Sequence, residues 1–479
     1  MKARLLYQFP GTISEKDGVS PRAWHWPHGK GDRCAVVYVS DVVAYPSVET
    51  LSLVLVDPHT GNTVKHLQST YHFGHIEELH LTFDSVTQNW VLGDVELQTA
   101  SFDYHAVLRV VRDEPDNQGL FFASLFDEAP NDDATTGPLF DLFVEGNRYM
   151  FLLRKTATME RDTPQVLCGS VNVDLRQKEL TSLLYAESAA VRRQERRVLV
   201  VALKPQRSQW ATQRQRGYDS WGFVLSICDP LYQEKPWSEA LPLSLPIPVG
   251  VTSILNQGIG NDFEWLGVNA AAIIGPAFPG TTNPTWCAGM TMMDVFRLER
   301  GGMGHSSVQA SLIPRSVSAL LYLDTTGNIL QTCLNPLGLR VQLARVDEMI
   351  VGVDLSSGRW RLWNWAPIQE TTWRVVLLLD PLVTRAHVVT AGEQEQDGLQ
   401  CTFWLIEELE QMLRISKRDV FTLKEVDTPA LIPHVHLVEP QLGAGALDWP
   451  TEIDACVYQG KLLISGVDES QHLVLYQVG

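Results

Sequence analysis

Two stretches of the chain gather histidine in a way that bears on metal or proton chemistry. Tyr71-His72-Phe73-Gly74-His75-Ile76-Glu77-Glu78-Leu79-His80 holds three histidines and two carboxylates, and Trp24-His25-Trp26-Pro27-His28 carries a His-x-x-His spacing. Zinc accepts such ligands but needs three or four converging on one point. In an unbroken strand, residues at odd separations face opposite sides, so His75 and His80 are not expected to share a face. His434 and His436 would share one, without a third ligand. Structural histidines are the expectation, with no metal and no other cofactor.

Nucleophile and phosphate motifs are missing. The chain has no Gly-x-Ser-x-Gly elbow and no Gly-x-x-x-x-Gly-Lys-Ser/Thr loop. Gly301-Gly302-Met303-Gly304-His305-Ser306-Ser307 is glycine-rich but lacks the lysine, and reads as a surface loop. The carboxylate spacing needed for glycoside hydrolysis is a three-dimensional property that sequence does not show. Asp262-Phe263-Glu264-Trp265, with Trp286 nearby, is the most suggestive acidic-aromatic grouping, and an ordinary strand with a packed tryptophan is its plainer reading. No residue is assigned as catalytic.

The most unusual segment runs from 191 to 218. It carries Arg192, Arg193, Arg196, Arg197, Lys204, Arg207, Arg214 and Arg216 against the single acid Glu195, in a chain whose net charge is −18. Gln206–Gly217 has the composition of an extended loop, with Trp210 at its middle. Arginine binds carboxylate or phosphate bidentately, and Arg with Trp is enriched at interface hot spots. Arg192, Arg193, Arg196, Arg197, Arg207, Trp210, Arg214 and Arg216 are therefore the expected partner-binding residues. The plain alternative is a solvated loop offsetting acids such as Asp127, Glu128, Asp132 and Asp133. The Gly/Pro-punctuated stretch 249–305 is a second candidate surface, or filling for a channel mouth.

Composition narrows the classes. The chain is 45% hydrophobic and 20% charged, ordinary for a globular protein. No run of about 18 apolar residues occurs, so no membrane span is expected. The start lacks the apolar stretch of a secretory signal, and a cytoplasmic protein is the expectation. Seven cysteines lie far apart with no CxxC spacing, which predicts buried reduced thiols. The acidic balance disfavours nucleic acid as a partner.

The elements that must position these groups repeat. An alternating apolar run ends in Asp, passes a polar or Gly-containing turn and resumes. Leu53-Val54-Leu55-Val56-Asp57-Pro58-His59-Thr60-Gly61-Asn62-Thr63-Val64 is the clearest copy. Others begin at Leu321, Val171 and Val351, with looser relatives around Asp229, Asp380 and Asp468. The Asp caps backbone amides of the turn and alternation gives each strand one core-facing side, so each copy predicts a β-hairpin. The aspartates at 57, 113, 174 and 229 are separated by 56, 61 and 55 residues. That period holds four strands. The gap from 229 to 324 is predicted to contain an insertion or a unit without the motif. Helical spacing is scarce: 404–413 fits a hairpin turning at Glu407–Glu410 better, and Ser182–Arg197 has room for a short helix.

Gly74-His75 at the start of Ile76–Phe83 resembles the opening of a WD40 repeat, and Arg361-Leu362-Trp363-Asn364-Trp365 resembles its Trp-Asp strand with Asn for Asp. The Asp-x-x-Thr-Gly hairpins resemble quinoprotein-like propellers. The period is longer than that of WD40 blades, so no single family is assigned. The expected fold is all-β: one β-propeller domain over 1–479, of four-stranded blades. Eight blades are counted, with seven as the alternative. The blocks are 22–72, 76–128, 138–187, 189–248, 263–334, 339–383, 386–427 and 452–479 plus 1–10. The run Ala3–Phe9 is expected to close the ring by pairing with Leu473-Val474-Leu475-Tyr476.

A propeller of this kind is expected to be a non-catalytic scaffold that binds other proteins, within a multi-protein complex, through its faces and loops. An enzyme of glycosidase or lyase type at the central channel is the alternative, and a nucleic-acid-binding propeller using the 191–218 segment is the second.

Overall fold

The computed structural model describes residues 1–8, 22–26, 33–43, 48–72, 74–84, 89–98, 103–111, 121–124, 136–145, 148–155, 165–172, 177–185, 188–194, 197–207, 218–228, 241–246, 263–265, 268–277, 279, 285–292, 295–297, 311–313, 318–324, 328–390, 401–437 and 455–479. Among them there is no helix, and every strand pairing is antiparallel. The alternation read along the chain explains this. In Met412–Asp419, for example, Leu413 and Ile415 are buried while their neighbours Met412 and Arg414 are partly exposed, the period-two pattern of a half-buried strand.

The strands pair in chain order. Four-stranded meanders cover 22–72, 74–124, 136–185, 188–246, 339–378 and 385–433, each with its strands in sequential order. A further four-stranded sheet joins Val268–Gly275, Thr285–Met292, Ser318–Leu323 and Ile329–Cys333. The long gap in the aspartate spacing holds a small three-stranded sheet of Phe263–Trp265, Val295–Arg297 and Ser311–Ile313. Val295–Arg297 and Ser311–Ile313 are inserted between the second and third strands of the sheet they interrupt, and Phe263–Trp265 precedes its first strand.

The chain forms two compact units. One comprises Met1–Leu183, Asp380–Ala444 and Glu452–Gly479; the other comprises Leu184–Leu379 and Gly445–Thr451. In the first unit, Ala3–Gln8 pairs with the last strand, Leu473–Val478, in the register Ala3↔Val478 to Gln8↔Val474. Lys2 and Gly479 exchange backbone hydrogen bonds at 3.2 Å. Leu6 is buried with Val54, Val56, Tyr458, Leu463, Leu473 and Leu475. A second core packs Trp404, Ile406, Leu413 and Ile415 against Leu462, Ile464, Val474 and Val478. The core of the second unit is aromatic, with Tyr322, Trp363, Trp365 and Trp373 around Cys287, Cys333 and Ile350.

The aspartate turns form as the side-chain chemistry dictates. Asp57 Oδ1 accepts the His59 amide at 2.8 Å, and Oδ2 accepts the Thr60 hydroxyl at 2.9 Å. Asp324 accepts the Asn328 amide, Asp380 that of Leu382, and Asp468 those of Ser470 and His472. Asp419, not singled out in the sequence, does the same with Thr422. Asp113, Asp174 and Asp229 lie outside the described residues. Gly61 has φ +79°, and a Cβ there would strike the Leu6 carbonyl oxygen. The first turn thus touches the first strand.

Hydrogen bonds from the His59 amide hold the Asp57 carboxyl below its ordinary range. A depressed folded-state value means that the stabilisation exists above pH about 3.8 and fades as pH falls through that lower value. Asp57→Ala should therefore lower the urea midpoint at neutral pH, and the difference from wild type should shrink on acidification. A difference that grows in acid would refute the turn's electrostatic role.

Three local expectations are corrected. Asp354 is not a turn residue: the reversal uses Ser357 and Gly358, at φ 52° and 75°, and Asp354 lies within a strand opposite Arg361. The 402–419 hairpin turns at Glu410–Gln411, between Leu409 and Met412, so Glu407 and Glu408 are strand residues. The described residues of Ser182–Arg197 hold no helix; they run through the strands Gln177–Tyr185, Ser188–Gln194 and the start of Arg197–Arg207, since pairing with Gln165–Asn172 and within the 188–246 sheet outweighs the local spacing.

Candidate functional site

The proposed arginine surface is distributed by the 188–246 sheet. Arg192 and Arg193 lie on Ser188–Gln194, opposite Leu199 and Val198. Arg197 begins, and Arg207 ends, the strand Arg197–Arg207. At about 3.3 Å per residue those two positions are roughly 33 Å apart. They belong to opposite ends of one sheet and do not act on a single small group. Arg207 pairs with Tyr218 at the mouth of the connection 208–217, and Tyr218–Cys228 returns antiparallel from there. Arg196, Trp210, Arg214 and Arg216 lie outside the described residues.

The histidine groupings are separated by topology. His72 ends a strand of the 22–72 sheet, whereas His75 and His80 lie in the 74–124 sheet. His75 and His80 would fall on opposite faces only in an unbroken strand, and this strand is broken between them. The register shifts between Ile76 and Glu78, so their partners, Leu97 and Gly93, are an even number of residues apart. His434 and His436 do not share a strand face. His434 has φ 58° and ends one strand before Val435–His436 begins another. Their side chains go to different acids, His434 to Glu469 and His436 to Glu408. Trp286 is fully buried in a different sheet from Phe263–Trp265, so the acidic-aromatic grouping separates. The Gly301–Ser307 loop lies outside the described residues.

Structure brings together three charged clusters that sequence reading passed over. Asp354, fully buried, accepts Arg361 Nε on Oδ1 at 2.8 Å, and Arg361 and the Gly338 amide on Oδ2, each at 2.5 Å. The guanidinium lies 5.0 Å from the centre of the Trp373 ring, which stacks on Trp363 at 4.9 Å. Burial pushes the Asp354 carboxyl up, with Arg361 pulling the other way. Enclosed in this way, it binds strands to one another.

Glu407 and Glu408 are neighbours on Thr402–Leu409 and face opposite sides. Glu407 meets Arg414 across the strand pair and lies 3.8 Å from Arg418; both arginines also reach Glu425. Burial raises the Glu407 carboxyl against the pull of Arg414. Glu408 pairs with Arg385 and with His436 Nδ1 at 3.2 Å. Together Glu408 and Arg385 hold both backbone groups of Leu437: the amide donates to Glu408 at 3.2 Å and the carbonyl accepts from Arg385 at 2.8 Å. These clusters fasten strands and a segment end. Their signal was available in cross-strand pairing, because Asp354↔Arg361, Glu407↔Arg414 and Arg385↔Glu408 sit directly opposite. It needed the register to be read.

Cys287, Cys333, Cys401 and Cys456 form no disulfide. Burial raises the Cys333 thiol to about 11 and the Cys287 thiol further, which removes the thiolate that chemistry would require. No helix among the described residues is long and apolar enough to cross a membrane.

A sheet of four antiparallel strands taken in chain order, repeated along the chain, fits the β-propeller class. Within it, Asn364 sits where the resemblance to a Trp-Asp strand placed it, on the third strand of its sheet, fully buried and accepting the Val375 amide at 2.8 Å. No family model matches the chain, and no curated protein matches it. Solved structures similar to it include the Dos1 propeller, at 10% identity and TM-score 0.47, covering 100% of this chain and 96% of that one. The WD40 domain of SCAP from fission yeast aligns at 8% identity and TM-score 0.43, covering 100% and 98%. An α-L-arabinanase of Penicillium chrysogenum complexed with arabinobiose aligns at 10% and 0.36, covering 88% and 99%. Likeness at these levels carries no argument about activity, and the class rests on the sheet order.

Proposed function

We propose that the chain is a non-catalytic interaction scaffold: an eight-bladed propeller closed by its first strand, cytoplasmic, and docking other proteins through its loops. The observation that supports this most is the mounting of the 208–217 connection. Arg207 and Tyr218 pair at its mouth on two long antiparallel strands, and its sequence adds Trp210, Arg214 and Arg216. A cation-rich segment carrying one aromatic, held at the end of a rigid strand pair, suits capture of an acidic protein surface. Arg192, Arg193, Arg196 and Arg197 offer a second basic region toward the other end of the same sheet. Buried charges support the reading too, since Asp354, Glu407 and Glu408 serve strand architecture.

The test is affinity capture from cell extract with wild type and with Arg207→Ala/Arg214→Ala/Arg216→Ala, at low and at raised salt. Partners held by wild type at low salt should be lost by the triple variant, and wild type should release them as salt rises. An unchanged, salt-insensitive partner set would discard the loop as the docking element.

A further inference from the structure

Among the described residues, the strand Val375–Leu378 ends its sheet and pairs on one side only, with Arg359–Trp365. Val376, Leu377 and Leu378 are 46%, 38% and 54% exposed. Alternation puts Val376 and Leu378 on one face and Leu377 on the other, so apolar side chains stand in solvent on both faces. The outer strand Ala430–Pro433 behaves differently, burying every second residue. Sheet edges are ordinarily guarded by lysine, proline or a bulge, and Val375-Val376-Leu377-Leu378-Leu379 has none of these.

The direction of the backbone groups is also fixed. The Leu379 amide donates inward to the Trp360 carbonyl at 2.9 Å. In an antiparallel ladder alternate residues turn their N–H and C=O toward the same neighbour, so Leu377 faces inward and Val376 and Leu378 face out. The charges flanking the segment are of opposite sign: Arg374 before it, which also pairs with Glu370 at 3.0 Å, and Asp380 after it, whose Oδ1 accepts the Leu382 amide at 2.9 Å and whose Oδ2 is the oxygen left to a partner.

We propose that a second copy of this chain adds antiparallel across this edge, with Leu377 opposite Leu377. That register sets Val376 of each copy against Leu378 of the other, the two residues whose polar groups face outward, and they exchange backbone hydrogen bonds on each side of the two-fold axis. It also sets Arg374 of each copy against Asp380 of the other. Sliding by one residue would oppose outward-facing groups to inward-facing ones. Sliding by two would set Arg374 or Asp380 against an apolar side chain. The apolar run between two unlike charges is thus self-complementary, as a two-fold interface requires. This contact is independent of the arginine-rich loop.

Sedimentation equilibrium of the full chain over a dilution series tests it, with Arg374→Asp and Asp380→Arg as single variants. Wild type should show a reversible monomer–dimer equilibrium. Each variant alone opposes like charges and should associate at least ~10-fold more weakly. Mixed in equal amounts, the two variants should recover the dimer as a heterodimer, because every opposed pair is again of unlike sign; that recovery also shows that both are folded. Wild type that stays monomeric at every concentration would overturn the proposal. So would a dimer indifferent to both substitutions, or one that mixing fails to restore.

Discussion

Removal of residues 1–8 should cost on the order of 5 kcal/mol and expose the last strand to aggregation. Ala3–Gln8 is bonded along Leu473–Val478, and backbone hydrogen bonds contribute roughly 1 kcal/mol each. Leu6 adds about 2 kcal/mol from its burial among Val54, Leu463, Leu473 and Leu475. The Met1 amine also donates to the Thr428 carbonyl at 2.9 Å, and Gln8 reaches Asp468 at 3.3 Å. The deletion leaves Leu473, Val474, Leu475 and Val478, all buried in the intact protein, on an unprotected edge. Urea unfolding should show a midpoint well below that of the full chain. A synthetic peptide of residues 1–8 added in excess should restore part of it. A midpoint equal to wild type would mean that the first strand is dispensable.

Arg361→Met should cost about 3–5 kcal/mol, because it strands a buried carboxylate. Asp354 is fully buried and, without the guanidinium, would have no cation to balance it, the Gly338 amide being a neutral donor. The guanidinium's contact with Trp373 would go as well. The effect should depend on pH in a defined direction. Burial already raises the Asp354 carboxyl above its ordinary value of 3.8, and loss of Arg361 raises it further. A raised folded-state value means that the native state holds the proton more tightly, so stability is greatest below pH about 3.8 and falls as pH rises through the raised value. The deficit of Arg361→Met should therefore be small in acid and full at neutral pH. Replacing both residues, Asp354→Leu with Arg361→Met, should be much milder than the single change. A single variant equally destabilised at all pH values would show that lost packing against Trp373, rather than charge, is responsible.

Much of this architecture was legible because β-structure writes a period of two into the chain. The hairpins at Asp57, Asp324 and Asp468 combined that period with a side chain able to cap a turn, and they formed accordingly. The partner of Ala3–Gln8 was legible too, since each of the two end segments lacked a neighbour. Asp354 misled because the same string, Asp-Leu-Ser-Ser-Gly, serves either as a capped turn or as a strand end before a two-residue turn. Only the residue opposite it, Arg361, decides. The bulge at Ile76–Glu78 and the φ of 58° at His434 escaped for a related reason: a single out-of-register residue leaves no compositional trace, yet it changes which side chains share a face. The apolar edge at Val375–Leu378 looked like any other strand, because exposure depends on what lies beyond the sheet.

Ala3 and Val478 are paired, yet residues 4–477 are synthesised between them. At about 5–20 residues per second, the first strand leaves the ribosome roughly 25 to 95 seconds before its partner exists. Throughout that interval the other sheets can assemble in turn while the founding strand waits with its backbone unsatisfied. Refolding from denaturant should therefore be limited by the search that joins Ala3–Gln8 to Leu473–Val478.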